Sequence, residues 1–325
     1  MWIKLLVVVF LIICVVPSMA ENWVKGNTHT HTTESDGDSP PEVVADWYKT
    51  HGYNFLVLSD HNVLTDSAKY DADPMDNFIL IPGEEVTTKF DSDYVHQIHV
   101  NALGIKEVIK PVVGYSVTST LQNNINEIVK LGGLPHINHP NFRYGIDYKD
   151  LAQVKGCNLI EICNAHPRVD NAGDSAHISV EQMWDILLSQ DREIYGIASD
   201  DAHHFKEFDQ TKKANPGHGW IMVQVNKLTQ QEVLDNIRKG NFYASTGVEL
   251  ADYLFDGKTL HISISPTANI KYVTRFIGKY GQILGEINGL EATYKFTGSP
   301  SEAYIRAKII SSDGKVAWTQ PVRQK

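Results

Sequence analysis

Short apolar runs alternate with amphipathic segments along most of the chain. Seven runs have the length and composition of strands: 23–24, 53–58, 78–81, 98–104, 133–137, 158–162 and 194–198. Between two of them, Leu121, Ile125 and Ile128 recur at helical spacing and indicate an amphipathic helix. Because near-continuous apolar strands that alternate with helices are typical of a parallel sheet buried on both faces, we expect an α/β fold. Residues 21–248 should form a distorted seven-stranded (β/α) barrel.

Three other predicted helices begin with sequence signals for capping. Ser39-Pro40-Pro41-Glu42 has a capping-box pattern with proline at the first helical position. Ser179 is followed by Gln182, and Thr229 by Glu232, with apolar residues at core spacing in both segments. After about Asp252 this alternation stops, and four strand-like runs occur without helices, at 259–263, 270–276, 303–310 and 316–319. We therefore expect residues 249–325 to form a small β-sandwich-like module.

The first twenty residues have the pattern of a secretory signal peptide. Lys4 precedes an apolar run over 5–16, and Ser18-Met19-Ala20 supplies small residues at the cleavage positions. An uncleaved membrane anchor is the alternative, although the run is short for a membrane span. We expect a secreted or periplasmic protein that begins near Glu21 after cleavage.

Composition narrows the possible partners. The formal net charge is −10, from 29 basic and 39 acidic residues, and no basic run occurs. A duplex nucleic-acid binder is disfavoured, because its affinity depends on Lys and Arg neutralising phosphates. Cys157 and Cys163 lie on one predicted strand, roughly 20 Å apart at about 3.3 Å per residue, too far for a disulfide. Both are expected to be free thiols.

Histidines and carboxylates follow the predicted strands, where a barrel builds its site. His29 and His31 are two residues apart, so an extended segment presents both imidazoles on one side. Collected along the chain, the candidates are His29, His31, Asp36, His61, Glu85, His99, His139, Asp201 and His203. So many imidazoles and carboxylates at one end of a barrel require cations. With nitrogen and oxygen ligands alone, two to three zinc, manganese or iron ions are expected.

These motifs resemble a known superfamily. The residues that carry the resemblance are His29-x-His31, Ser35-Asp36-Gly37, Ser59-Asp60-His61, Gly83-x-Glu85, His139-Pro140 and Asp201-x-His203. In this order they are similar to the PHP (polymerase and histidinol phosphatase) superfamily, in an exported branch similar to carbaryl hydrolases. The resemblance implies a PHP-type barrel with a trinuclear site. It assigns the first ion to His29, His31, Glu85 and Asp201, the second to Glu85, His99 and His139, and the third to Asp36, His61 and His203.

Two ligand positions have alternatives, and other polar residues have less specific interpretations. Glu84 is an alternative to Glu85, and His96 to His99. His166 and Arg168 are placed on a loop at the barrel opening, where they could bind an anionic substrate. His51 is interpreted as a solvated or capping residue, and His136 and His204 as residues that support the ligands. No function is assigned to His177, His218 and His261.

The leading functional hypothesis is hydrolysis of a phosphate ester by a metal-bound hydroxide, with a small anionic substrate. The same site could instead hydrolyse a carbamate, ester or amide, as the carbaryl-hydrolase resemblance implies. A third hypothesis is a metal-dependent binding module without catalytic activity.

Overall fold

A computed structural model describes residues 22–70, 77–89 and 97–324. The predicted signal peptide, residues 1–20, lies outside them. The described strands are β1 (Asn22–Asn27), β2 (Phe55–Leu58), β3 (Ile79–Lys89), β4 (Gln97–Leu103), β5 (Leu134–Ile137), β6 (Leu159–Asn164), β7 (Tyr195–Ser199), β8 (Trp220–Val225), β9 (Phe242–Ser245), β10 (Leu250–Phe255), β11 (Thr259–Ile264), β12 (Tyr272–Ile277), β13 (Ile283–Asn288), β14 (Glu291–Lys295), β15 (Arg306–Ser311) and β16 (Val316–Thr319). The α-helices are α1 (Pro41–Thr50), α2 (Val117–Lys130), α3 (Tyr148–Gln153), α4 (Val180–Ser189) and α5 (Gln230–Lys239).

Helix starts follow local capping chemistry in most cases. Ser179 caps α4 in a capping box with Gln182, and the Thr229 side chain accepts from the Glu232 backbone at the start of α5. The predicted cap at Ser39 is wrong, because α1 starts after Pro40 and the Ser39 hydroxyl donates to Asp38 instead. Among the described residues, every helix is too short or too polar to cross a bilayer.

The seven predicted strands lie side by side in chain order, from β1 to β7, within a thirteen-stranded sheet. Pairing is parallel from β1 to β3 and again from β5 to β7. The expectation of a wholly parallel arrangement is wrong at β4, which is antiparallel to both neighbours. The link from Lys89 to Gln97 is too short for the crossover that a parallel pair requires, so β4 must reverse direction.

Among the described residues, no ladder of strand pairs between β7 and β1 closes the sheet, so the predicted distorted seven-stranded barrel is not confirmed. β8 pairs with β1 from Asn22 to Gly26 and occupies the edge that β7 would need for closure. The segments that follow β1 and β7 meet only beyond Gly26, where Thr30 and Ala202 form one isolated parallel bridge. His31 N donates to Ala202 O (2.9 Å) and Asp201 N donates to His29 O (3.0 Å). The first and seventh strands therefore meet only where two of the candidate site segments begin.

Strands after residue 248 extend this large sheet and add a second one. β16 pairs with β9, and β15, β12 and β13 follow outward, so the large sheet continues across the predicted boundary at residue 248. β10, β11 and β14 form a separate three-stranded sheet. One apolar cluster contains residues from both sheets, including Ile262 of β11 and Ile309 of β15. The two sheets share this core.

A buried ionic cluster connects α4 with the C-terminal strands. Arg306 Nε and Nη2 donate to the two oxygens of Asp185 (2.8 and 2.7 Å), and Nη2 also reaches Glu181 (2.9 Å). Tyr304 donates to Asp185 (2.7 Å), and Lys308 pairs with Glu181 (2.6 Å). These five residues are called the Arg306 cluster below. Two cations and two carboxylates balance there, so the C-terminal strands are held to α4 by charge as well as by the shared sheet.

Candidate metal centre

All nine residues singled out from the strand ends lie together at one end of the large sheet, and they are called the nine-residue cluster below. They form four overlapping groups in which potential ligand atoms lie within 4.8 Å of one another. The groups are His31, Asp36, His61 and His203; His29, His31 and Glu85; His29, His139 and Asp201; and His61, Glu85 and His99. The segments come from β1, β2, β3, β4, β5 and β7, so six strands contribute to one site.

The carboxylate of Glu85 lies at the centre of the nine-residue cluster. It is buried, and its nearest imidazole nitrogens are His29 Nε2 (3.3 Å), His31 Nε2 (3.6 Å), His61 Nδ1 (2.7 Å), His99 Nδ1 (2.9 Å) and His139 Nε2 (3.4 Å). Its two oxygens face different imidazoles: Oε1 faces His29, His99 and His139, whereas Oε2 faces His31 and His61. A carboxylate in this position can bridge two cations.

Asp201 and Asp36 supply the other carboxylates. Asp201 Oδ1 is 3.2 Å from both His29 Nε2 and His31 Nε2. Asp36 Oδ1 is 3.3 Å from His203 Nε2, and Asp36 Oδ2 is 3.6 Å from His61 Nε2. Asp201 is buried, whereas 55% of the Asp36 side chain is exposed. The nine-residue cluster therefore extends from a closed interior at Asp201 to an open rim at Asp36.

Several buried ligand atoms in the cluster have no hydrogen-bond partner among the residues that the structure describes. They include His29 Nε2, His31 Nε2, Glu85 Oε2 and both ring nitrogens of His99. His61 Nδ1 comes within 2.7 Å of Glu85 Oε2, but it hydrogen-bonds to Thr87 Oγ1 (2.6 Å). Buried polar atoms are nearly always paired, and unpaired acceptors facing one another are unfavourable. Cations would satisfy them, and the imidazole and carboxylate donors suit zinc, manganese or iron.

The pKa shifts of the histidines and carboxylates also indicate that the cluster needs added positive charge. Although burial lowers the pKa of His61, the carboxylates of Glu85 and Asp36 raise it to about 10. Burial, together with His203 and His61, lowers the pKa of His31 to about 4. In Glu85 and Asp201, burial is outweighed by the neighbouring imidazoles, and both carboxyl pKa values fall well below the ordinary range. Without metal, protons on some imidazoles must compensate the buried carboxylates.

Backbone conformation at two ligand positions is strained. His139 and Asp201 both have positive φ angles, of 21° and 49°, which non-glycine residues rarely adopt. Each comes two residues after the end of a strand, and the positive φ angle turns the chain so that the side chain enters the cluster. Such strain is concentrated at functional sites, because the surrounding structure must hold it in place.

The aspartates that precede two of the ligands support the loops. Asp60 accepts from the backbone of Thr32 (2.8 Å) and from the hydroxyls of Thr32, Ser35 and Thr65. Asp200 accepts from three successive backbone amides, at residues 217–219, and from Tyr48 and Asn27. The carboxylates of Asp60 and Asp200 are therefore used within the protein, whereas the side chains of the following residues, His61 and Asp201, face the cluster.

The structure distinguishes between Glu84 and Glu85 as ligand positions, but it does not describe His96. Glu84 turns away from the nine-residue cluster, and its Oε2 accepts from the backbone of Ile109 (3.0 Å). His96 lies outside the described residues. His136 is buried with both ring nitrogens unpaired, and its Nε2 is 3.9 Å from Glu161 Oε1. His204 Nδ1 accepts from the Ala214 backbone (3.2 Å).

A cavity of about 230 Å³ opens beside the cluster. Its walls include His166 and Arg168, the two residues predicted to contact substrate. They also include Gln97, Phe142 and Arg143, which the sequence did not single out. Arg143 has a positive φ angle of 51°, and the Phe142 ring lies 5.3 Å from the His139 ring. The only signal for Phe142 and Arg143 was their position shortly after the His139-Pro140 motif, and Gln97 lies two residues before His99.

Buried polar residues behind the ligands were also missed. Asn138 Nδ2 donates to Glu85 Oε1 (2.7 Å) and to Asn101 (2.9 Å). Glu161 accepts from His29 Nδ1 (2.7 Å). A signal for Glu161 was present, because a carboxylate within an apolar strand requires compensating partners.

Comparison with known proteins returns matches among solved structures. No family model and no curated protein matches the chain. A two-domain protein from Bacteroides vulgatus containing a predicted PHP-like metal-dependent phosphoesterase matches with 14% identity and a TM-score of 0.49, over 93% of this chain and 96% of that chain. An amidohydrolase from Chromobacterium violaceum with bound sulfate and no metal matches with 16% identity and a TM-score of 0.40, over 58% of this chain and 93% of that chain.

The lesion-specific endonuclease PfuEndoQ from Pyrococcus furiosus matches with 17% identity and a TM-score of 0.42, over 68% of this chain and 56% of that chain. One of these neighbours is described as containing a predicted PHP-like metal-dependent phosphoesterase. The reactions named for them differ, and none of them bears on the carbaryl-hydrolase branch.

Proposed function

We propose that this chain is a multinuclear metal-dependent hydrolase that acts on phosphate esters. One observation carries the proposal: five imidazoles surround the buried Glu85 carboxylate, and ligand atoms on both sides lack hydrogen-bond partners. The first metal position would be held by His29, His31, Glu85 and Asp201. The second would be held by Glu85, His99 and His139, and the third by Asp36, His61 and His203.

When bound, the ions would lower the pKa of a water molecule and would offset negative charge in the transition state. The protein orients the side chains that would hold them. Glu85 and Asp201 hold the imidazoles in a buried arrangement, and the exposed Asp36 rim leaves the cavity open to substrate. Charged groups that are already held in place inside a buried site need no rearrangement during the reaction.

Cationic and hydrogen-bonding groups on the cavity wall support a phosphate substrate. Arg143 and Arg168 come from different loops, and a guanidinium can bind phosphate oxygens with two parallel hydrogen bonds. Burial, outweighing the nearby Asp201 carboxylate, lowers the pKa of His166 to about 4, so the ring is neutral at pH 7. Its Nδ1 accepts from the Arg168 backbone (3.1 Å), which places the proton on Nε2. His166 can therefore donate a hydrogen bond to substrate.

Hydrolysis of a carbamate, ester or amide is the second candidate. The observation that favours it is the Phe142 ring on the cavity wall, which suits an uncharged aromatic group better than phosphate. The reaction would use the same ions, with a carbonyl carbon attacked in place of phosphorus.

The test is a direct comparison on reconstituted protein. Chelated protein is loaded separately with zinc, manganese or iron, and bound metal is counted by elemental analysis. kcat/KM is then measured on a nitrophenyl phosphate and a naphthyl carbamate at equal pH. We expect two to three ions per chain, preference for the phosphate ester, and competition by inorganic phosphate. Full activity without metal contradicts the proposal, and a hundredfold carbamate preference favours the second candidate.

A control separates ligands from other histidines. His51 is exposed at the end of α1, stacks on Trp47 (3.8 Å between ring centroids) and bonds the Trp47 carbonyl. His51→Ala should keep metal content and activity. If it is inactive while His31→Ala is active, the site has been misassigned. A metal-loaded protein without activity on either substrate supports a binding module.

We also propose that the protein is exported to a secreted or periplasmic location. The support is the apolar run over 5–16 after Lys4, followed by small residues before Glu21. N-terminal sequencing of protein recovered from outside the cytoplasm should begin near Glu21. An intact Met1 terminus there contradicts cleavage.

A further inference from the structure

Glu161 lies directly behind the nine-residue cluster and is fully buried on β6. Four donors surround its carboxylate. His29 Nδ1 (2.7 Å) and the Ser199 hydroxyl (2.5 Å) reach Oε1, whereas the His139 backbone N–H (2.7 Å) and Asn164 Nδ2 (3.0 Å) reach Oε2. Three of these contacts involve residues that are, or directly support, candidate metal ligands.

Two of the four groups around Glu161 can be identified as hydrogen-bond donors from their chemistry. The His139 backbone N–H can only donate. The Asn164 side-chain oxygen accepts from the His166 backbone (2.9 Å), which orients its amide nitrogen toward Glu161. Both of these groups reach Oε2, which therefore accepts two hydrogen bonds. Oε1 lies within hydrogen-bond distance of His29 Nδ1 and the Ser199 hydroxyl, which can each donate, and an ionised carboxylate can accept from all four groups. A neutral amide of the same shape would replace one of the two acceptor oxygens by a donor.

This arrangement fixes the tautomer of His29. With Glu161 ionised, Oε1 accepts from His29 Nδ1, so the lone pair of the neutral imidazole lies on Nε2. That atom faces Glu85 Oε1 (3.3 Å) and Asp201 Oδ1 (3.2 Å) without a hydrogen-bond partner. A carboxylate that binds the far nitrogen of a metal-ligating histidine orients the ring and increases its basicity.

Glu161 contacts two further ligands through Oε2, His139 directly and Asp201 through Asn164. Its bond to the His139 backbone holds a residue with a positive φ angle of 21°. Asn164 Nδ2 also donates to Asp201 Oδ2 (3.2 Å), so Asn164 links the two carboxylates. Asp36, His61 and His203, which form the exposed side of the nine-residue cluster, have no hydrogen bond to Glu161 among the described contacts.

We propose that Glu161 is a positioning residue that prepares His29, His139 and Asp201 for metal, and leaves the Asp36 side of the cluster independent. The inference rests on the proposed metal centre and does not depend on which ester is hydrolysed. It predicts that some ions of the nine-residue cluster depend on Glu161 for their affinity and that another does not.

The test is Glu161→Gln with metal affinity as the readout. Cobalt is titrated into metal-free protein in competition with a chelator, and visible absorption follows each binding step. The ions held through His29 and His139 should bind roughly 10- to 100-fold more weakly than in the unmodified protein, as for other residues behind metal ligands. The ion held by Asp36, His61 and His203 should keep its affinity and its absorption band.

Asp185→Asn is the matched control, because it changes a buried carboxylate whose side-chain partners, Tyr304 and Arg306, lie outside the nine-residue cluster. It should lower stability and leave all cobalt-binding steps unchanged. Equal weakening of every step in Glu161→Gln indicates general destabilisation and overturns the proposal, as does unchanged affinity at every step. If Glu161→Gln does not fold, Glu161→Asp keeps the charge and shortens its reach, and the same selective weakening is expected. Unmodified protein that binds no cobalt contradicts the metal centre itself, whereas metal binding without hydrolysis contradicts only the proposed reaction.

Discussion

The protein contains two buried clusters of charged side chains, and they are satisfied in opposite ways. In the Arg306 cluster, two carboxylates face Arg306 and Lys308, with bonds of 2.6 to 2.9 Å. In the nine-residue cluster, three carboxylates face imidazoles, and several atoms have no hydrogen-bond partner. Burial alone therefore does not distinguish a structural cluster from a functional one.

The difference lies in where the compensating charge comes from. Arg306 carries a permanent cation, which burial opposes but Asp185 and Glu181 stabilise, so its pKa is raised. Imidazoles are neutral near pH 7 in water and can only offset carboxylates by taking up protons. The charges of the Arg306 cluster balance within the chain, although Arg306 Nη1 has no hydrogen-bond partner among the described residues. The nine-residue cluster requires protons or added cations.

The largest expected difference is in activity. Asp201→Asn removes a carboxylate that faces both His29 and His31, and it should reduce kcat/KM by at least on the order of a thousandfold. Bound metal should fall in parallel, as measured by elemental analysis. The same amide substitution at Asp185 should leave kcat unchanged per folded molecule. Equal activity losses in the two variants contradict the distinction between the clusters.

The next largest effect is on stability. Asp185→Ala leaves Arg306 buried without its main partner and should cost about 3–5 kcal/mol of unfolding free energy. Denaturant unfolding of the metal-free protein measures this loss. Joint replacement by Asp185→Leu and Arg306→Met should restore much of the stability, because paired apolar residues need no compensating charge. If the double variant is as unstable as Asp185→Ala, the cost comes from packing.

Stability should respond to pH with opposite signs with and without metal. Carboxylates outweigh burial and raise the pKa of His29, His61, His139 and His203 in the folded protein. Their stabilising contribution is complete below pH 6.5 and is lost as pH rises through the folded pKa, which for His61 is about 10. Metal-free protein should therefore lose stability between pH 7 and 9, by about 1.4 kcal/mol per pH unit for each proton involved.

Metal should reverse this trend, because protons compete with the ions for imidazole nitrogens. The gain in melting temperature on adding manganese should be larger at pH 8 than at pH 6. The Asp185→Asn variant is the control, and it should keep both slopes since its substitution lies outside the nine-residue cluster. A metal-free protein whose stability rises from pH 7 to 9 would show that imidazole protons do not compensate the carboxylates.

The smallest expected effect concerns substrate binding at the rim. Arg168→Ala should raise KM for a phosphate ester about tenfold with little change in kcat, because an exposed contact binds ground state and transition state alike. Arg238→Ala, an exposed arginine on α5 paired with Asp235, should change neither constant. A larger effect on kcat than on KM assigns Arg168 to the reaction step instead.

The sequence pattern predicted those features that depend on residues close together in the chain. Ligand-type residues recur after apolar strands, and His29 and His31 lie two apart on extended backbone, so their convergence at one end of the sheet could be expected. Caps at Ser179 and Thr229 were likewise visible, because the contacts that define them span three residues.

Pairing over long distances could not be derived in this way. The antiparallel course of β4, the occupation of the β1 edge by β8, and the continuation of the large sheet through β16 depend on which strands become neighbours. Apolar periodicity reports burial and gives no partner. It predicted a distorted barrel because nothing local shows that β8 occupies the edge of β1.

The sequence by itself determined the kinds of residue that could hold metal and the segments that carry them. The tertiary structure decided what stands behind those residues. Glu161 and His29 are 132 positions apart, and Asp185 and Arg306 are 121 apart. Whether a buried carboxylate has a cation, a set of donors or unpaired imidazoles around it depends on such distant partners. Buried charge is therefore interpretable only from its complete surroundings, because its energy depends on every group that replaces water.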